Sequence, residues 1–211
     1  MKIFSLNNIK TPLIAGAFLL ASSSTVAQSF RHDDLINKDL FVKQDSLVTP
    51  TGTDAPYILR HAPSPWLEVQ GEFKSAKIVV DLDKNFLYKY DDLGQPEKAY
   101  LIASGKKSTP TNTGIRIVTN IEQWPYKTAG LATKRRKNPN DYGPRALILR
   151  KLDPKTGETA PTGEFIHGNN NKKSLGKYAS KGCMRMDNQV IRELAKQIKK
   201  GDLVIIRRNE E

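Results

Sequence analysis

From Lys77 onward the apolar positions come in short runs broken by Asp, Asn, Gly and Pro, the spacing of β-strands joined by tight turns. Ile78, Val79, Val80 and Leu82 predict one strand, and Phe86-Leu87-Tyr88-Lys89-Tyr90 the next, with Asp83-Lys84-Asn85 as the hairpin turn. Ala99–Ala103, Ile115–Thr119, Ala146–Leu149 and Glu164–His167 predict four more. Ser108–Gly114 is turn-rich. Residues 123–144, with Lys134-Arg135-Arg136-Lys137, read as a long basic surface loop, and such loops often serve as lids or binding loops. Near the end the period changes. Val190, Ile191, Leu194, Ala195 and Ile198 fall on one helical face, with Asp187 as N-cap, Lys199 and Lys200 at the negative end and Gly201 as terminator. Leu203–Ile206 predicts the last strand. Residues 76–208 therefore read as a mainly β domain with one C-terminal-region helix packed on it.

The N-terminal part lacks this pattern. Lys2 and Lys10 precede and flank an apolar stretch, Leu13–Ala21, followed by small residues ending in Thr25-Val26-Ala27. That is the order of a secretory signal peptide, placed at residues 1–27. The apolar part falls well short of the ~20 residues that cross a bilayer as a helix, which argues against the alternative, a retained membrane anchor. Export to the periplasm or cell envelope of a bacterium follows as an expectation, with no stable membrane insertion after cleavage. Residues 28–75, polar and holding Pro50, Pro56, Pro63 and Pro65, read as an irregular N-terminal arm docked through Trp66 and Leu67.

Composition narrows the function classes. The 211 residues carry 34 Lys+Arg against 22 Asp+Glu, a formal charge of +12. Loss of residues 1–27 removes two lysines and no acid, leaving +10. Such a charge suits an acidic partner. No nucleic-acid motif interleaves basic and aromatic residues, so nucleic acid is not the expected partner. A solvated basic surface with no particular partner is the alternative. A single cysteine excludes an internal disulfide scaffold and a multi-cysteine zinc site. His32, His61 and His167 are scattered, with no HExxH, so no metal site is expected.

The chemistry concentrates in Phe165-Ile166-His167-Gly168-Asn169 and Ser180-Lys181-Gly182-Cys183-Met184-Arg185-Met186. A thiol titrates near ~8.5 and needs an imidazole to give useful thiolate at neutral pH. Gly182 lets a substrate carbonyl approach the backbone, and the Gly182 and Cys183 amides are candidate oxyanion donors. No third acid lies nearby, so the Gly168 backbone carbonyl is the candidate for fixing the His167 tautomer. Arg185 reads as a grip on a substrate carboxylate or, alternatively, half of a structural ion pair. Cys183 has its own alternatives, a buried small hydrophobe or a thiol awaiting an intermolecular disulfide. For His167 it is a core histidine.

These residues resemble a known signature. Ile166-His167-Gly168-Asn169-Asn170, Leu175-Gly176 and Ser180-Lys181-Gly182-Cys183-Met184-Arg185-Met186 are similar to the catalytic core of the L,D-transpeptidase (YkuD-type) domain family. Ile78-Val79-Val80-Asp81, Leu87-Tyr88, Ser104-Gly105, Thr109-Pro110, Thr113-Gly114 and Tyr142-Gly143-Pro144-Arg145-Ala146-Leu147 follow in that family's order. The chain departs from the pattern at Lys181, where many members have histidine, and at two extra residues around Asn112. Lys151–Thr162 reads as a polar insertion, and 123–144 exceeds a minimal lid.

The resemblance implies a YkuD-type β-sandwich or barrel-like domain over residues 76–208. It implies that Cys183 attacks the diaminopimelate–D-Ala bond of a peptidoglycan tetrapeptide stem, with His167 as base and a thioester as intermediate. An amine of another stem then resolves the thioester into a 3→3 crosslink. Tyr142, Ser180, Asn169 and Arg185 become candidate substrate contacts. Carbapenems are expected to acylate the sulfur, and no cofactor is needed. Water as acceptor would make an L,D-carboxypeptidase, a lysine of an envelope protein would make an anchoring enzyme, and a non-catalytic wall-binding protein is the remaining alternative.

Overall fold

The computed structural model describes residues 56–127, 142–169 and 171–208. The expected signal peptide, the arm up to residue 55 and the basic run 134–137 lie outside the described residues.

Strands β3 (Ile78–Asp81) and β4 (Phe86–Tyr90) form the expected hairpin, paired from Ile78↔Lys89 to Asp81↔Phe86. Its turn is held by the buried Asp81 carboxylate, whose Oδ1 accepts the amides of Asp83 and Lys84 at 3.1 Å. Strand β5 (Pro96–Leu101) pairs antiparallel with β4. On the other side β12 (Leu203–Arg207) runs parallel to β3 and antiparallel to β7 (Gly114–Gln123). Strands β8 (Arg145–Leu152) and β9 (Thr159–Asn169) continue the antiparallel run, and β11 (Met184–Asp187) pairs parallel with β9. The order is β11-β9-β8-β7-β12-β3-β4-β5. Just past β5, Ala103 forms an antiparallel bridge to Arg185 of β11, with amide–carbonyl distances of 2.9 and 2.8 Å. That bridge joins the two ends of the sheet, giving the barrel-like closure expected from the sequence. A two-stranded parallel pair, β6 (Ser104–Gly105) and β10 (Tyr178–Ser180), continues beyond it.

Helix α2 (Asn188–Gln197) starts where expected, because the Asp187 carboxylate accepts the Gln189 amide at 2.7 Å. Val190, Ile191, Leu194 and Ala195 bury its apolar face against a core that includes Leu147, Ile166, Met184 and Met186. Ile198 leaves the helix in an extended conformation, so the helix stops before Lys199.

One expectation needs correction. The arm is not irregular throughout. Pro56–Arg60 is a short helix, α1, and β1 (Trp66–Val69) pairs with β2 (Glu72–Ser75) in a hairpin. Gln70 and Gly71 both take positive φ, 53° and 79°, which matches the twist of a two-residue hairpin turn. Leu67 packs beside Val69, Ala76, Leu152 and Leu203, and the Trp66 indole lies against Gly94. The segment read as a polar insertion, Lys151–Thr162, is regular. It extends β8 to Leu152 and begins β9 at Thr159, around a turn in which Asp153 accepts the amides of Lys155 and Thr156.

Candidate active site

The parallel register of β9 and β11 sets Met184 beside Ile166 and Arg185 beside His167. Side chains alternate across a strand. Ile166, Met184 and Met186 therefore share the core face, where each is fully buried. Phe165, His167, Cys183 and Arg185 share the other face. Cys183 is two residues along and one strand over from His167, about 8 Å between Cα atoms for ideal pairing. It packs against the cluster of Tyr126, Ala146 and Phe165, to which Tyr142 also belongs.

His167 is 2% exposed, and its Nδ1 lies 2.7 Å from the Gly168 carbonyl oxygen. A carbonyl only accepts, so Nδ1 is the donor here, and the neutral ring in this arrangement has its lone pair on Nε2, the tautomer a base requires. The Tyr142 ring lies 4.5 Å from the imidazole and 6.3 Å from the Phe165 ring. Tyr126 holds this segment by donating from its hydroxyl to the carbonyls of Tyr142 at 3.0 Å and Gly143 at 2.8 Å. Burial raises the Tyr126 phenol pKa, so it remains a donor across the accessible pH range. Gly143 (φ +66°) and Gly168 meet backbone to backbone beside the Asn188 side chain, and a Cβ on either would collide with both neighbours.

The Cys183 turn is tied through its backbone. Gly182 sits at φ +108°. Its amide donates to Ser180 Oγ at 3.1 Å, and Ser180 Oγ donates to the Cys183 carbonyl at 2.5 Å. The Gly182 carbonyl accepts from Thr111 Oγ1 at 2.8 Å. The half-buried thiol has its Sγ 3.8 Å from the Gly163 carbonyl.

Three of the expected site residues have hydrogen-bond partners within the chain. The Gly182 amide is committed to Ser180, so it is not an oxyanion donor in this conformation. Ser180, fully buried, closes that turn. Asn169 likewise serves the chain. Its Nδ2 donates to the Asn171 carbonyl at 2.8 Å and to Ser174 Oγ at 2.7 Å, while its Oδ1 accepts the Asn171 amide. Arg185 is different. It is half-buried beside His167, forms no ion pair among the described residues, and its buried Nε has no hydrogen-bond partner there.

The sequence reading missed Thr111 and the buried pair of Arg116 and Glu164, joined at 2.9 and 3.0 Å. Glu164 also accepts the Asn112 amide and side chain. The only signal was the anomaly noted around Asn112; nothing local links residues 48 positions apart. Among the described residues no group of three or more His, Cys, Asp or Glu converges as a metal site would require, and no helix is long and apolar enough to cross a membrane.

A family model for the L,D-transpeptidase catalytic domain matches residues 75–206. The chain belongs to the L,D-transpeptidase catalytic domain family. It is 36% identical over 112 residues to "Putative L,D-transpeptidase YkuD" of Bacillus subtilis, covering 53% of this chain and 54% of that one. To the protein of the same name from Bacillus licheniformis it is 32% identical over 120 residues, 57% of each chain. The chain thus spans about half the length of the curated relatives it matches. Among solved structures, the catalytic domain of an Enterococcus faecium L,D-transpeptidase aligns at 27% identity and a TM-score of 0.44, over 64% of this chain and 98% of that one.

Proposed function

We propose that this L,D-transpeptidase family member is an exported peptidoglycan enzyme in which Cys183 is the nucleophile. The observation that carries the reading is the His167 tautomer, held by the Gly168 carbonyl on the face that also presents Cys183. In this reading Nε2 takes the thiol proton and the thiolate attacks the carbonyl carbon of the diaminopimelate–D-Ala amide. The oxyanion forms over the Cys183 amide in this reading, the Gly182 amide being bonded to Ser180 Oγ and closing the turn. Imidazolium returns the proton to the amide nitrogen, the C–N bond breaks, and D-Ala leaves. The product is a thioester on Cys183. An amine of a second stem attacks it, loses its proton to Nε2, and leaves a 3→3 amide and a regenerated thiol. Arg185, with its unpartnered Nε, suits a substrate carboxylate. The basic surface favours encounter with acidic stems.

Incubation with disaccharide-tetrapeptide tests the reading. Crosslinked dimers with release of D-Ala are expected. Tripeptides without dimers would assign water as acceptor, and no release of D-Ala would reject both.

A further inference from the structure

Thr111 is 3% exposed and makes two hydrogen bonds that meet at the nucleophile's turn. Its hydroxyl oxygen accepts the Gly105 amide at 2.9 Å, which leaves the hydroxyl proton for the Gly182 carbonyl at 2.8 Å. The Gly182 carbonyl and the Cys183 N–H belong to one planar trans peptide unit, so they point in opposite directions. Fixing the carbonyl fixes the amide. At φ +108°, Gly182 lies in a region that glycine occupies without a steric penalty; Ser180 Oγ holds the Gly182 amide and the Cys183 carbonyl on either side of that peptide plane, and the Thr111 bond is the one made to the plane itself.

Thr111 is itself braced. Next to it, the Asn112 amide and side chain donate to Glu164 Oε1 at 2.9 and 3.1 Å, and the Asn112 carbonyl accepts from Arg116 Nη2 at 2.9 Å. Arg116 and Glu164 pair inside the protein at 1% and 4% exposure. Thr109 Oγ1 adds a bond to the Ser180 carbonyl at 3.2 Å. The segment Thr109–Asn112, where two extra residues interrupt the turn before Gly114, thus reaches the Cys183 turn at Ser180 and at Gly182.

We propose that Thr111 is a positioning residue that aims the Cys183 amide at the oxyanion by holding the Gly182 carbonyl, with the Arg116–Glu164 pair as its buttress. The inference rests on the acyl-transfer reading above. Its mark is selectivity: the residue matters to reactions that build an oxyanion and not to thiol chemistry that builds none.

Two reactions separate these. Acylation by a carbapenem, followed by intact mass, passes through an oxyanion. Alkylation by iodoacetamide, followed across pH, is a displacement at a saturated carbon and does not. Thr111→Val is expected to acylate about 10- to 100-fold more slowly, a partial loss of one oxyanion donor, while alkylating at the wild-type rate with the same pH midpoint. Thr111→Ser is expected to recover most of the acylation. Should Thr111→Val fail to fold, Thr111→Ala is read by the same two reactions. Acylation of the variant at the wild-type rate overturns the inference, and so does an equal fall in both reactions. A wild-type protein that alkylates but never acylates overturns the functional reading, and this inference with it.

Discussion

On one face of the β9–β11 pair lie Ile166, Met184 and Met186, fully buried in the main core; on the other lie His167, Cys183 and Arg185. The same two strands build both faces, one residue apart. The first face gains its stability from apolar area removed from water. The second face and the turn beside it hold polar groups, and most of these are satisfied within the chain: Ser180 by the turn, Asn169 by its loop, and His167 Nδ1 by the next carbonyl. Polar residues around Cys183 are thus chiefly occupied in fixing backbone. Substitutions on the core face should cost stability, and those on the other face should cost chemistry.

The sharpest way to separate the faces is His167→Ala. Acylation of Cys183 is expected to slow by about 10²- to 10⁴-fold, the usual value of a positioned base, in stopped-flow or mass-resolved kinetics. An undiminished rate would remove the imidazole from the mechanism. From the other face, Met184→Ala should lower unfolding free energy by about 2–5 kcal/mol in denaturant titration, while the folded fraction keeps its rate of thiol alkylation. A stable Met184→Ala protein with an unreactive thiol would break the comparison. At the boundary of the two faces, Asp187→Ala removes the cap of α2 and is expected to cost about 0.5–2 kcal/mol.

The smallest effect belongs to a turn remote from both. The amides of Thr156 and Lys155 hold the Asp153 carboxyl below its ordinary value. The unfolded chain therefore binds a proton at higher pH than the folded one. The contribution is complete above the unfolded value of about 3.9 and disappears as pH falls through the lower folded value. Asp153→Asn should flatten the acid-side decline of Tm and leave Tm at pH 7 within about 2 °C. An unchanged acid limb would deny Asp153 any share in it.

The parts legible in the sequence are those with strong local signals. The β3–β4 hairpin shows in Ile78–Leu82 and Phe86–Tyr90, and α2 shows in its 3.6-residue period behind Asp187. His167 and Cys183 were legible as a pair because each is flanked by glycine and rare in this chain. The β1–β2 hairpin was hidden because its strands have four residues each and its turn puts Gln70, an unusual residue there, at positive φ. Strand β11 lies inside the motif itself and was not among the predicted strands. Ser180 and Asn169 were read as substrate contacts, and Gly182 as an oxyanion donor, because polar residues and amides beside Cys183 look alike in sequence. Only the hydrogen-bond partners distinguish a group that meets substrate from one that closes a turn. Arg116 and Glu164 sit in separate strands, and their pairing is a property of the sheet.

Intact mass spectrometry of the protein after exposure to a carbapenem tests the central claim most directly. The account expects one covalent adduct per chain, mapped to Cys183 by peptide analysis and absent from Cys183→Ala. An adduct that persists in Cys183→Ala, or a folded wild-type protein that forms none, would contradict it.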